Sequence, residues 1–342
     1  MKLRRADAFD CRVADLLQDG LPLTERPYLA LAGMLGCAEA DVLEAVRRLA
    51  ADGTIRSFGA FVDYGRLGYE GFLCGASVPE AAIPRVAAFL NEKREVTHNY
   101  LRAGEVNLWF TAILRPNEID SLEVELRGLG HPFVLLRTER RIKLMPCFHM
   151  GGEREAAGAG DVEGAGLSRA SPGATEPMNR RGAPGAEDVA LLAALQEAFP
   201  IEPAPYARIA QRFGVDTDTL LARLTALRRD GVLRRIGASL HHLRAGYAAN
   251  ALLALDYGAP EADLAAGTAL AEYPWLSHCY LRSVASCTLS RAWPYRLYAM
   301  IHAKSGAELR ERISVAGDTW GLRGMCAMGT VRELKKARYL LE

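Results

Sequence analysis

The sequence predicts an α+β protein in which one unit is used twice. Each unit is a winged helix-turn-helix followed by a βαββαβ ferredoxin-like sandwich, and the two units pair about a pseudo-twofold axis. Three observations predict this. Two helices around a glycine turn recur at a fixed offset, each pair is followed by elements in the order β-α-β-β-α-β, and one polar strand, His-x-Tyr-Leu-Arg, occurs once in each half.

Residues 6–19 carry Ala8, Val13, Leu16 and Leu17 at helical spacing. Pro27 opens a second helix that ends near Gly36. A third, 39–51, places Val42, Ala45, Val46 and Leu49 on one face and stops at Asp52-Gly53. Residues 55–62 then read as the strand of a wing. After Gly68-Tyr69 come a buried strand at 70–78, a helix at 81–92, strands at 95–102 and 106–114, a helix at 116–128 and a strand at 132–144. Residues 150–186 are Gly, Ala, Glu, Ser and Pro with almost no large apolar side chain, the composition of a flexible linker.

The first half then returns. Leu21 to Gly53 aligns without a gap with Phe199 to Gly231, pairing Pro27-Tyr28 with Pro205-Tyr206 and Gly36 with Gly214. Arg56, Gly59-Ala60 and Gly68-Tyr69 meet Arg234, Gly237-Ala238 and Gly246-Tyr247. The expected boundaries are 1–68 and 187–246 for the winged helices, 69–149 and 247–342 for the sandwiches, and 150–186 for the linker. The halves also differ. The second has a longer loop, Ser283 to Tyr295, with Arg291 and Trp293-Pro294-Tyr295, and has His241-His242 where the first has Asp63-Tyr64.

Of the 342 residues 50% are hydrophobic and the formal net charge is +1, which excludes a generally basic nucleic-acid coat. The seven cysteines show no C-x-x-C spacing and no leader-like segment precedes them, so reduced thiols and a cytoplasmic location are expected. No apolar run approaches a membrane span. The helix-turn-helix segments carry acid at the end that reads bases, with Glu39, Asp41 and Glu44 in one and Asp216 and Asp218 in the other, which argues against DNA as a partner.

On a strand, alternation sends His98, Tyr100 and Arg102 to one face, and likewise His278, Tyr280 and Arg282. A lone histidine is most often a hydrogen-bonded structural residue. Two at matched positions, each with a phenol and a guanidinium, point to a polar pocket for an anionic ligand, with imidazole as proton donor. His302, on a neighbouring strand, is expected to share the pocket with His278, whereas at most one of His241 and His242 can join it from a strand. His131 and His149 fall at element ends, as surface residues. Arg56, Arg234, Arg282 and Arg102 suit a ligand with several carboxylates, since guanidinium pairs bidentately with carboxylate. No Walker loop, G-x-G-x-x-G, G-x-S-x-G or H-E-x-x-H occurs, so catalysis without a dedicated metal site is expected.

Asp-Gly-x-Ile-Arg-x-x-Gly-Ala followed by Val-x-His-Asn-Tyr-x-Arg and Asn-Leu-Trp-Phe-Thr resembles the siroheme decarboxylases, which in turn resemble Lrp/AsnC transcription regulators. Arg-Ile-Gly-Ala-Ser-Leu-x-His, Ser-His-Cys-Tyr-x-Arg and Trp-Pro-Tyr-x-Leu-Tyr-x-Met-Ile-His look like the sister subunit. A chain carrying both is similar to the fused NirD–NirL type associated with haem d1 biosynthesis. Arg296 departs from the family pattern, which has Asn after Trp-Pro-Tyr. The resemblance implies loss of carbon dioxide from acetate side chains of siroheme, leaving methyls, with no cofactor beyond the iron-tetrapyrrole substrate. It implies His278 or His98 as acid, Tyr280 or Tyr100 assisting, and Arg282, Arg102, Arg234, Arg56, His302, Arg291 and Trp293 at the substrate. Companion subunits and a homodimer stay open as partners. Two other classes stay open as well: a DNA-binding regulator with a sensing domain, and a tetrapyrrole binder without catalysis.

Overall fold

The computed structural model describes residues 7–144, 148, 150 and 184–341. The expected linker, apart from its ends, lies outside the described residues, as does His149. The first half contains α1 (Ala8–Asp19), α2 (Pro27–Leu35), α3 (Glu39–Ala51), β1 (Ile55–Val62), β2 (Glu70–Ala76), α4 (Ile83–Glu92), β3 (Val96–Arg102), β4 (Leu108–Leu114), α5 (Ile119–Gly128) and β5 (Phe133–Leu144). The second repeats the order with α6 (Ala186–Gln196), α7 (Pro205–Arg212), α8 (Thr217–Arg229), β6 (Leu233–Leu240), β7 (Ala249–Asp256), α9 (Pro260–Ala271), β8 (Leu276–Cys287), β9 (Leu297–Ala303), α10 (Gly306–Gly317) and β10 (Gly324–Lys336).

Local chemistry sets these elements. Pro27 and Pro205 open α2 and α7, at a position whose N–H has no helical partner. Gly36, at φ 67°, and Gly214, at φ 66°, provide the left-handed turns that end these helices' segments. The carboxylates of Asp7 and Asp216 accept from backbone N–H groups in the first turns of α1 and α8.

The halves interlock rather than merely touch. The strands read as wings do not form wings of their own: β1 and β6 pair antiparallel with each other, with Gly59 opposite Gly237. Helix α1 lies on β6 and α6 on β1. A Cβ at Gly59 would stand 2.3 Å from the Leu195 carbonyl oxygen, and one at Gly237 would stand 2.5 Å from that of Leu17, so each crossing requires glycine. The Tyr28 hydroxyl donates to the Pro200 carbonyl at 3.1 Å and the Tyr206 hydroxyl to the Pro22 carbonyl at 3.1 Å. Leucines, valines and tyrosines of both helix-turn-helix segments form one continuous core.

Each ferredoxin-like sheet has the internal order 2-3-1-4, and the two merge into one closed eight-stranded barrel, β10-β3-β4-β2-β5-β8-β9-β7. The seams are β5 with β8 and β10 with β3. Both His-x-Tyr-Leu-Arg strands therefore sit at a seam, each paired with the last strand of the other half. Lysines clasp the seams. Lys335 Nζ donates to the carbonyls of Asn91 and Lys93 at 2.8 and 2.6 Å, and Lys143 Nζ to those of Ala271 and Tyr273 at 2.6 and 2.7 Å, capping the ends of α4 and α9.

Candidate functional site

Inside the barrel the wall changes character along its axis. One end is plugged by an apolar cluster that includes Leu73, Trp109, Val134, Leu252, Tyr298 and Met328, with Trp293 against it. Trp293 meets Trp109 at 5.8 Å between ring centroids and donates to the Tyr298 hydroxyl at 2.5 Å. It is thus part of this floor. Above the floor lie the two arginines. Arg102 donates to the Thr330 hydroxyl at 2.9 Å, and Arg282 to the Thr138 hydroxyl at 2.8 Å. Each is almost fully buried, and each leaves its Nε without a partner among the described residues. Burial lowers both guanidinium pKa values to about 10, so both stay charged at neutral pH.

The next layer is aromatic. The Arg102 guanidinium carbon stands 4.9 Å from the Tyr100 ring centroid, and that of Arg282 stands 4.9 Å from Tyr280. His98 stacks on Tyr100 at 6.3 Å and His278 on Tyr280 at 6.4 Å. The shared face follows from β alternation, but its lower limit does not. A register shift between Val96 and His98 turns Val96 out to the helix-side core, and the same shift separates Leu276 from His278. The histidine and tyrosine rings keep partly accessible edges, as walls of an internal space would.

The two imidazoles face one electrostatic environment. Burial first, then the Lys336 ammonium, pulls the proton affinity of both His98 and His278 down to about 3, and His278 itself depresses His98. Burial also holds His302 well below its ordinary value and His242 at about 4. All four are neutral at pH 7 before any ligand enters. Seven cationic side chains act on this environment, Arg56, Arg102, Arg141, Lys143, Arg234, Arg282 and Lys336, against the two carboxylates of Asp63 and Glu333.

The surroundings of the two strands differ. Beside Tyr100 stands Glu333, which accepts from Arg56 at 2.9 Å and from the Tyr100 hydroxyl at 3.5 Å. Burial raises the Tyr100 pKa and Glu333 raises it further. Beside Tyr280, at the matching register, stands Arg141, paired with Asp63 at 2.6 Å. Burial also raises Tyr280, but Arg282, Arg141 and Arg234 oppose the shift. Arg234 donates to the Leu144 carbonyl at 3.2 Å, while Arg56 is engaged by Glu333 and by the Lys336 carbonyl at 2.8 Å. The His98 Nδ1 meets the hydroxyls of Thr97 and Thr111 at 2.9 and 3.2 Å. The His278 Nδ1 meets the Ser277 hydroxyl at 2.7 Å, and that hydroxyl also meets His302 Nε2 at 2.9 Å.

Of the residues expected at the site, His98, Tyr100, Arg102, His278, Tyr280, Arg282, Arg56, Arg234 and His302 converge on this interior. Arg291 does not: it is exposed and pairs with Glu105 at 2.9 Å outside the barrel. Its loop begins later than expected, because β8 continues to Cys287 against β5. Arg296 faces buried Asp263 at 3.6 Å, at α9. His241 and His242 lie in a turn after β6, not on a strand, so strand parity does not separate them: their rings stack at 5.4 Å, and His242 approaches both His302 and Phe148. Lys336, Glu333, Arg141 and Ser277 complete the site without having been singled out as site residues. The signal for the first three was the register of β5 and β10 against the histidine strands, which sequence alone does not print.

The helix-turn-helix faces are occupied by their own contacts. Asp41 accepts from the Ala38 N–H at 3.1 Å and Asp216 from the Thr219 N–H at 2.8 Å. Arg47 donates to the Ile201 carbonyl, Arg48 pairs with Asp10 and Arg223 with Asp188. Among the described residues no helix is long and apolar enough to cross a membrane, and no cluster of metal-ligating side chains is present.

Comparison with known proteins fits this duplicated build. Residues 10–56 and 188–234 match the siroheme decarboxylase NirDL-like HTH domain, and residues 66–126 and 244–335 match the AsnC-like ligand binding domain. A siroheme decarboxylase of Hydrogenobacter thermophilus is 30% identical over 96% of this chain and 93% of its own length. A siroheme decarboxylase alpha subunit of Desulfovibrio desulfuricans is 36% identical over 43% of this chain and 86% of its own. The crystal structure of a siroheme decarboxylase NirDL in complex with an iron-uroporphyrin III analogue superposes with a TM-score of 0.67 at 25% identity, covering 98% of this chain and 94% of that one. The chain belongs to the siroheme decarboxylase family.

Proposed function

We propose that this chain, as a siroheme decarboxylase, converts acetate side chains of siroheme to methyls inside the barrel, with the His278 strand carrying the chemistry. The observation that carries the assignment to one strand is the replacement of Glu333 by Arg141 at the matched position. The phenol of Tyr280 therefore stands among three guanidiniums with Asp63 as the opposing carboxylate, while that of Tyr100 has two guanidiniums and itself contacts the carboxylate of Glu333. Siroheme is an octacarboxylate, and a wall with excess guanidinium attracts it and fixes its orientation.

The reaction replaces each side-chain carboxylate by a proton. The bond from the methylene carbon to the carboxylate breaks, carbon dioxide leaves, and the electron pair spreads from that carbon into the macrocycle until a proton arrives. No electrons are gained or lost overall, so we assign no cofactor besides the substrate itself. His278 Nε2 is the donor. In the empty barrel burial and Lys336 keep the imidazole neutral. Substrate carboxylates reverse that field, raise its proton affinity and make it a usable acid. Arg282 and Arg234 clamp neighbouring carboxylates, and the Tyr280 hydroxyl holds the acetate against His278. The apolar floor below favours loss of charge from the departing group.

Both halves lie in one chain and together close the barrel, so a companion subunit is not needed to complete the site. Nor is self-association. The free thiols of the described cysteines suit the cytoplasm. Anaerobic incubation with siroheme, followed by mass analysis, tests the reading. Loss of one or two carboxyl groups is expected. Bound siroheme recovered intact would make the protein a tetrapyrrole binder. Salt-dependent binding to a defined duplex would point instead to a regulator.

A further inference from the structure

His302 lies on β9 behind Ser277 and is nearly inaccessible. Its Nε2 is 2.9 Å from the Ser277 hydroxyl, which lies 2.7 Å from His278 Nδ1. Its Nδ1 is buried with no partner among the described residues. Phe148 meets the ring edge-on at 5.0 Å, and Arg312 of α10 donates to the His302 backbone carbonyl. The charged and titratable groups that face it are His278 on β8, Lys336 on β10, His242 after β6 and Arg102 on β3.

A serine hydroxyl has one hydrogen to give. Three acceptors compete for that of Ser277: His278 Nδ1 at 2.7 Å, His302 Nε2 at 2.9 Å and the Met300 carbonyl at 3.3 Å. Donation to His302 would strand that ring's own hydrogen on its buried Nδ1, which has no partner among the described residues, so the shortest contact, to His278, takes it. The Ser277 oxygen then accepts from His302, which must carry its own hydrogen on Nε2, the one ring nitrogen with a partner. The chain of bonds runs one way, from His302 Nε2–H to Ser277 and from Ser277 O–H to His278 Nδ1. His278 Nδ1 is thereby a bare acceptor and the hydrogen of the neutral ring is on Nε2, facing the barrel interior. The first half lacks this polarity. Ile113 stands where β9 has His302, and the Thr97 and Thr111 hydroxyls, 2.8 Å apart, offer His98 either sense of donation.

We propose that His302 is a positioning residue that acts through Ser277 to hold neutral His278 in the Nε2–H tautomer, so that the hydrogen meant for the substrate side chain is on Nε2 before the ring takes up a second proton at Nδ1. This rests on the assignment of His278 as proton donor, yet its first readout needs no substrate. In full-length protein labelled with 15N-histidine, long-range nitrogen–proton spectra report each ring's tautomer, with His278→Ala assigning the signal. His278 is expected as Nε2–H in the parent protein and in His302→Gln, whose amide N–H can still donate to Ser277. It is expected as Nδ1–H or a mixture in His302→Leu, with His98 unmoved. Ser277→Ala, a smaller change, should give the same shift if His302→Leu does not fold. With siroheme, His302→Leu should lose about 10–100-fold in kcat with KM within about twofold, the range of an acid in the wrong state, and His302→Gln should recover most of it. An Nδ1–H tautomer in the parent protein, or an unchanged tautomer in both His302→Leu and Ser277→Ala, overturns the proposal whatever the activity. A correct tautomer pattern with no turnover of siroheme by the parent protein would instead count against the decarboxylase reading alone.

Discussion

The barrel contains the strand motif His-x-Tyr-Leu-Arg twice, and the two copies agree in those side chains while disagreeing in their neighbours. Both β3 and β8 stack a histidine on a tyrosine and a tyrosine under an arginine, and both arginines end on a threonine of the opposite half. Around β3 the cationic field is partly cancelled: Glu333 takes Arg56 and the Tyr100 hydroxyl. Around β8 Arg141 replaces Glu333, Asp63 is drawn off to Arg141, and His302 replaces an aliphatic residue behind the histidine. Duplication preserved what holds the strand in place and released what sets its charge. A motif therefore locates a pocket, and the residues across the seam decide its chemistry.

The largest expected break in this comparison comes from the histidines. His278→Ala should lower kcat for siroheme by about 10²–10³-fold, within the range of a removed general acid, while His98→Ala costs about 10-fold or less. Equal losses, read by product mass spectrometry, would make the copies equivalent. Next are the paired arginines at the barrel mouth. Arg234→Met should raise KM about 10–30-fold, and Arg56→Met about threefold, because Glu333 already neutralises Arg56. Steady-state kinetics at fixed ionic strength separates the two.

Acid stability gives a third contrast. The buried histidines bind protons in the unfolded chain near their ordinary value, and in the folded, ligand-free protein only at much lower pH. Their stabilising contribution is therefore complete above about pH 6.5 and is lost as the pH falls below it. Urea midpoints should drop from pH 6.5 toward pH 4, with a slope of up to about 1.4 kcal/mol per pH unit for each histidine. His302→Gln should flatten the curve measurably, as should His98→Asn, and a pH-independent difference would contradict the burial reading. The smallest effect is that of Glu333→Gln. Removing one carboxylate from the β3 side should tighten siroheme binding about two- to fivefold and steepen its salt dependence.

Much of the architecture was legible in the sequence because its signals are local. Pro27 and Pro205, the turn glycines Gly36 and Gly214, and the alternation of His98, Tyr100 and Arg102 each act within a few residues. What was not legible is non-local. Nothing in residues 55–62 says that their partner strand lies in the other half, so the sequence shows a wing strand without showing what it pairs with. Register shifts between Thr330 and Arg332 and between Glu333 and Lys335 reset the alternation of β10, and this delivers Lys336 rather than Lys335 to the interior. The site was legible to the same extent. The ring-bearing strands stand out by repetition, whereas Arg141, Glu333 and Ser277 look like ordinary surface or core residues until the seams are known. Arg291 turns to Glu105 instead of the interior, and the loop sequence around it gives no hint of which way each side chain turns.

The seams have one more consequence. Taken alone, each ferredoxin-like sheet ends in two raw edges, β3 and β5 in one half and β8 and β10 in the other. Unpaired edges recruit other strands and promote aggregation. Here each edge is covered by its counterpart on the same polypeptide, at an effective concentration that no pair of separate chains matches. In an assembly of identical copies, a change such as arginine for glutamate beside the tyrosine would appear at both seams together. On one chain it appears at a single seam, so one face can specialise while its twin keeps the barrel shut.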